Sequence, residues 1–331
     1  MPSAQTADYG RLIYEFKGDL YAYATAPGQL KRLTATPDEE RNPRLSPDGR
    51  FLAYTRANNL FALDLESGLE CQLTADGSPT VYNGWASWVY YEEILGRGSR
   101  YAAFWWSPDS RRIAFLRFDD GAVPPFTLVR SKGVHGEVET AHYPKPGDPN
   151  PKVRLGIADV AALKVTWADF DPAADAYLAW PVWFADASKL SVQWMNRGQD
   201  TIKIFAVDAA TGGSAEIHAE SQPSWVEFFE DLTMLGDGSG FLLRSDIDGW
   251  RHIYAYDLAG KPRARITQGD WAVTGIALVD EKAKRVFFTG RREATTENHL
   301  YVAGLDGSGL KRLTKEPGMH GVSVSPGGSY F

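Results

Sequence analysis

The chain has 331 residues, with 35 Lys and Arg against 42 Asp and Glu, a formal net charge of −7. That acidic balance argues against a general binder of nucleic acid or of anionic membrane surfaces, and 44% apolar with 23% charged residues fits a globular protein rather than a disordered or coiled-coil one. With 32 glycines, 19 prolines and 13% aromatics, the composition points to many short strands joined by tight turns.

Met1–Thr6 carries no basic start and no apolar run, so no signal peptide is read there. The strand-like Arg11–Tyr14 begins with little in front of it, and the chain reads as a piece of a longer protein. From there a unit recurs. Leu45-Ser46-Pro47-Asp48-Gly49-Arg50 leads into Phe51–Arg56, and Trp106-Ser107-Pro108-Asp109-Ser110-Arg111 leads into Arg112–Arg117. Weaker copies precede Ala176–Ala179, Phe241–Leu243, Arg285–Phe288 and Ser329–Phe331. Each reads as strand, tight turn and strand, because proline presets φ and the following Asp-Gly or Gly-Gly tolerates the turn. A second hairpin runs from an aromatic strand to a short strand ending in Leu-Thr or Ile-Thr: Asp19–Tyr23 to Thr34, Asn59–Leu63 to Thr74, His252–Tyr256 to Thr267, and His299–Val302 to Thr314.

Equivalent strand positions fall at Leu52, Ile113, Leu178, Leu242, Val286 and Tyr330, with intervals of 61, 65, 64, 44 and 44 residues. A basal period near 44 matches a four-stranded propeller blade, and the longer intervals place insertions in mid-chain. The expected fold is therefore all-β, a β-propeller of four-stranded blades over residues 1–331, with insertions at about 81–104 and 118–150. A β-sandwich or a pair of small barrels is the alternative, but sandwiches do not repeat at this period. The one convincing helix is Trp88–Leu95, stopped by Gly96.

Chemistry-bearing motifs are few. Cys71 is the single cysteine, so there is no internal disulfide and no cysteine-based zinc cage. No Gly-x-Ser-x-Gly elbow, Walker loop or GxGxxG occurs, and the six histidines show no metal-ligand spacing. No catalytic residue, cofactor or metal is expected, and nothing approaches the 18 apolar residues of a membrane span. The outlier is Trp85–Glu93. Seven of the eleven residues from Val81 to Tyr91 are aromatic or Val, and Glu92 and Glu93 follow directly. On a short helix neighbouring side chains lie about 100° apart, so two long carboxylates can converge on one small cation. Held that close they repel unless a cation neutralises them. Such a pair amid aromatic walls suits an ammonium group; a solvated acidic helix end is the other reading.

The stretch Tyr82-Asn83-Gly84, Trp88-Val89-Tyr90-Tyr91-Glu92-Glu93 and Trp105-Trp106-Ser107-Pro108-Asp109, followed by Tyr143-Pro144-Lys145-Pro146-Gly147, Gly249-Trp250-Arg251-His252-Ile253 and Ile266–Trp271, resembles the dipeptidyl peptidase IV family of serine exopeptidases. The resemblance covers essentially the whole chain. It implies an eight-bladed propeller, of which six or seven units are countable here, followed by an α/β-hydrolase domain that this chain does not contain. It places the double-Glu helix in the active-site cavity, where Glu92 and Glu93 hold the free N-terminal amine of a peptide substrate. It implies a propeller arginine on the substrate carbonyl; Arg41 is the nearest match, although the residues after it are shorter than the family pattern. It makes Phe118–Asn150 an arm that helps form a homodimer, a plain exposed loop being the rival.

Two functions follow. One is the substrate-gating, N-terminus-recognising propeller of a dipeptidyl aminopeptidase that releases Xaa-Pro or Xaa-Ala dipeptides, inactive without its hydrolase domain. The other is a TolB-like protein-binding propeller, which has no reason to keep the Glu pair. Compartment stays open, since members of this family are often exported or membrane-tethered.

Overall fold

A computed structural model describes residues 1–131 and 133–331; Lys132, within the expected arm, lies outside the described residues. The protein is almost entirely β. Sheets of consecutive antiparallel strands follow one another along the chain, and they are the blades of a propeller fold. The first comprises Ala4–Gln5, Arg11–Phe16, Asp19–Ala24 and Gln29–Arg32; the second comprises Arg41–Leu45, Phe51–Arg56, Asn59–Asp64 and Glu70–Gln72. The third is built on Phe104–Trp106, Arg112–Asp119, Lys152–Asp159 and Lys164–Trp167, with Val81–Asn83 added beside the end of Arg112–Asp119. The fourth holds Ala176–Trp183, Lys189–Asn196, Thr201–Asp208 and Ser214–Ser221. The fifth and sixth start at Thr233 and Val273.

The chain divides into two compact units, Met1–Pro181 with Val207–Ser214, and Val182–Ala206 with Ala215–Phe331. In the first unit, the first and second sheets bury Ile13, Leu20, Leu52, Tyr54, Phe61 and Leu63 between them. The second and third bury Leu60, Ala62, Phe104, Ile113, Phe115 and Val160. In the second unit, the fifth and sixth sheets close over Leu242, Ile253, Trp271, Val286, Phe288 and Tyr301. Sheets packed face to face put apolar side chains on both of their faces, so strands such as Asn59–Asp64 are buried along their whole length.

The recurring Ser and Thr motifs have a direct structural cause. The Ser46 hydroxyl donates to Asp48 (2.6 Å) and accepts the Phe51 N–H (2.9 Å). Ser107 repeats this with Asp109 (2.6 Å) and Arg112 (2.9 Å). Each turn thus satisfies backbone groups of its own locally. Ser325 accepts the Tyr330 N–H (3.0 Å), but Ser329–Phe331 does not form the strand that its sequence suggested. The Thr residues act as latches. Thr34, Thr74, Thr267 and Thr314 accept the N–H groups of Leu20, Leu60, Ile253 and Leu300 at 2.9, 2.9, 3.0 and 3.1 Å. In the fifth sheet Thr267 also bonds His252 Nδ1 (3.0 Å), and His252 Nε2 donates to the Gly269 carbonyl (2.9 Å). Burial pushes the His252 imidazolium equilibrium down, so the neutral ring with its proton on Nε2 fits this wiring.

Two segments leave the third sheet. Residues from Val81 to Phe104 form one excursion. The other, between Arg112–Asp119 and Lys152–Asp159, is a two-stranded ribbon of Pro125–Arg130 and Glu137–His142.

Replacing Thr267 by Val keeps the side-chain shape and removes the hydroxyl, leaving the buried Ile253 N–H without its acceptor and His252 Nδ1 without its donor. Chemical denaturation should show a loss of about 1–3 kcal/mol; unchanged stability would contradict the latch.

Candidate functional site

The excursion that carries the Glu pair is closed at its base and anchored on one side. Trp85 bridges Ala102, the Ala86 N–H donates to the Tyr101 carbonyl (2.8 Å), and the Ala103 N–H donates to the Gly84 carbonyl (2.9 Å). Between these ties the chain turns helical at Trp88. It was expected as an ordinary helix over Trp88–Leu95, but Tyr90–Ile94 forms a π-turn: the Leu95 N–H reaches back five residues to the Tyr90 carbonyl (2.7 Å). The wider turn lets Tyr90, Ile94 and Leu95 all face inward. Tyr90 is the anchor. Its ring packs on Phe118 at 4.6 Å, and its hydroxyl accepts the Leu178 N–H (3.1 Å). Burial drives its phenol far above the ordinary range, so it remains a neutral hydrogen-bonding group. Burying a ring of this size contributes on the order of 2–3 kcal/mol.

Glu92 and Glu93 occupy the other side of the turn. Glu92 is ion-paired: Arg97 Nε lies 2.9 and 2.8 Å from its two carboxylate oxygens, and Arg97 Nη2 contacts Oε1. Glu93 is exposed and makes no hydrogen bond or ion pair among the described residues.

A run of stacked rings extends from this turn to Arg41. Tyr91 stacks on Tyr101 (3.8 Å between centroids, 12° between planes), Tyr101 stacks on Trp85 (4.7 Å, 4°), and the Arg41 guanidinium lies over Trp85 (5.1 Å). Arg100 and Tyr101 both take positive φ, 50° and 68°, a costly conformation for residues other than glycine. That backbone slots the Tyr101 ring between the other two, and the Asn42 amide holds the Arg100 carbonyl (2.8 Å). Arg41 is half-exposed and also pairs with Glu39 (2.6 Å). On its other flank Trp88 meets Tyr91 and Tyr143 edge-on (6.0 and 6.1 Å), joining the turn to the foot of the ribbon. The three residues singled out in the sequence, Arg41, Glu92 and Glu93, thus belong to one continuous array within one compact unit.

Three contributors were not singled out. Arg97 and Tyr101 are two; Asp120 is the third. Its Oδ2 accepts the hydroxyl proton of Ser87, the residue just before the helical turn (2.9 Å), while Oδ1 has no hydrogen-bond partner among the described residues. Almost fully buried, its carboxyl is pushed up to about 6, chiefly by loss of solvent, with Asp119 adding to the rise while Ser87 and His142 oppose it.

The model of the dipeptidyl peptidase IV N-terminal region matches residues 8–331, and the chain belongs to that family. An Aspergillus flavus protein named as a probable dipeptidyl peptidase 4 is 31% identical over 292 residues, which is 82% of this chain and 37% of the relative. Trichophyton rubrum dipeptidyl peptidase 4 is 30% identical over 302 residues, 86% of this chain and 38% of the relative. The crystal structure of Porphyromonas gingivalis dipeptidyl peptidase 4 superimposes with a TM-score of 0.86 at 28% identity, over 95% of this chain and 46% of that one. The chain therefore spans less than half the length of each.

Asp120 gives the site a pH signature. Because its folded-state value lies above the ordinary 3.8, the folded chain binds this proton more tightly than the unfolded one. Its contribution then falls as pH rises from about 4 to about 6 and is flat above that. Asp120→Asn should gain stability relative to the wild type by on the order of 1–3 kcal/mol between pH 4.5 and 7.5. A stability gap that does not change with pH would contradict the assignment.

Proposed function

We propose that residues 1–331 are the substrate-gating, N-terminus-recognising region of a dipeptidyl aminopeptidase, a serine exopeptidase that releases Xaa-Pro or Xaa-Ala dipeptides with a hydrolase domain outside this chain. The observation that carries the reading is the Glu92-Glu93 turn. Its apolar side is locked by Tyr90, and its acidic side is coupled through three stacked rings to Arg41.

The chemistry follows from these positions. The carboxylates take the ammonium of a free peptide N-terminus. Arg41 lies three rings away and offers its N–H fork to a substrate carbonyl once it leaves Glu39. With the amine pinned and the nucleophile fixed in a rigid second domain, one peptide bond, two residues along, comes within reach. An acylated amine brings no positive charge to the acidic pair, so blocked peptides are disfavoured. The relatives' names, dipeptidyl peptidase 4, support the activity class. A stand-alone binding propeller gives the Glu turn no task.

The ribbon Pro125–Arg130 and Glu137–His142 is the arm of a homodimer in this reading. Its exposed Leu128, Val129 and Val138 are the apolar side chains that a second copy would cover.

In the full-length enzyme, Glu92→Ala and Glu93→Ala should each lower kcat/KM for a free-amine Ala-Pro anilide by at least about a hundredfold, a loss of transition-state stabilisation of about 2.7 kcal/mol. Wild-type kinetics in both variants would overturn the ammonium site. Deleting residues 125–142 should convert a dimer into a monomer in analytical ultracentrifugation; an unchanged dimer would remove the ribbon from the interface.

A further inference from the structure

The Glu pair does not present two free negative charges. Arg97 holds Glu92 through both carboxylate oxygens, and Glu93 stands alone. Arg97 is itself largely exposed, with 71% of its side chain accessible, whereas 22% of Glu92 is. It is set between Gly96 and Gly98, and a Cβ added at either glycine would meet nothing within 4 Å. The hydrogen bonds from its guanidinium go to the Glu92 carboxylate, which fixes it in place. The pair in turn lifts the Arg97 guanidinium above its ordinary range, with Glu92 the main cause and Glu93 a smaller one.

Two of the neighbouring charges are already paired. Glu139 of the ribbon, whose charge also reaches Tyr101, is paired with Arg130 (2.6 Å). Arg41 is paired with Glu39, and Arg100 lines the depression that Arg41 and Trp85 share. At the turn itself, two carboxylates and one guanidinium leave a net charge of −1.

We infer that Arg97 is a specificity-determining residue, a built-in counter-ion that trims the acidic pair to one negative charge and so matches the site to peptides whose first residue carries only its ammonium. The inference rests on the proposed ammonium-binding role of the Glu pair. A neutral first residue brings one positive charge to a site of −1, and the charges cancel. A first-residue lysine brings a second cation on a side chain that leaves the same carbon as the ammonium. With Arg97 present that second charge finds no acid left over, and it meets a like charge instead. Without Arg97 it finds Glu92.

The test uses the full-length enzyme as wild type, Arg97→Ala and Arg97→Lys, with Lys-Pro, Ala-Pro and N-acetyl-Ala-Pro anilides at low ionic strength and at 0.5 M salt. At about 6 Å in solvent-exposed surroundings, one unit charge is worth about a threefold change in affinity. The Lys-Pro to Ala-Pro ratio of kcat/KM should therefore rise about threefold in Arg97→Ala. The rise should shrink at 0.5 M salt, because exposed charges are screened. Arg97→Lys keeps the charge and should stay near the wild-type ratio. A wild-type ratio in Arg97→Ala, or an equal rise in Arg97→Lys, overturns the counter-ion role while leaving the ammonium site standing. Fast cleavage of the N-acetyl substrate by the wild type instead overturns the ammonium reading beneath it.

Discussion

Two carboxylates on successive residues of one helical turn repel each other, and the rest of the site is organised around holding them there. The turn is short, so its own hydrogen bonds contribute little, and an isolated helix of this length would not persist in water. Three contacts supply what it lacks: the buried Tyr90 ring with its hydroxyl on the Leu178 N–H, the stack of Tyr91 on Tyr101 and Trp85, and the Arg97 pair on Glu92. The first two fix where the turn sits. The third decides how much charge it shows.

This placement needs a base that does not move, and the repeated blades provide it. Serine-aspartate turns and threonine latches satisfy backbone groups within the sheets that carry them. Departures from that regularity concentrate on the third sheet, which sends out both the acidic excursion and the ribbon. Arg100 and Tyr101 in that excursion take positive φ, and Tyr101 completes the stack, as expected where local geometry serves a site.

Much of this was legible in the sequence because it is local. The Ser-Pro-Asp turns, the Leu-Thr strand ends and the 44-residue period each report a contact between residues near in the chain. The helical start of the excursion at Trp88 was also legible from its motif, whereas Arg41 was offered only by the family resemblance, and its stack with Trp85 comes from the structure. Arg97 was not legible: it lies five residues beyond Glu92 and past a glycine, a spacing that an α-helix does not bring together. Only the wider turn and the break at Gly96 make the pair. Tyr101 stayed hidden because nothing in its neighbours announces a left-handed tyrosine. Asp120 stayed hidden because its burial depends on residues from Thr80 to His142 meeting around it. The last Ser-Pro turn shows the converse, since a correct local signal at Ser325 is not followed by a strand.

Whether this turn binds a peptide's charged head is decided by a crystal structure of the full-length protein with a free-amine tripeptide. The peptide nitrogen should lie within hydrogen-bonding distance of the Glu93 carboxylate, with Glu92 beside it and the first carbonyl turned toward Arg41. A peptide bound with its amine in solvent, or held by groups away from the turn, would contradict the ammonium site.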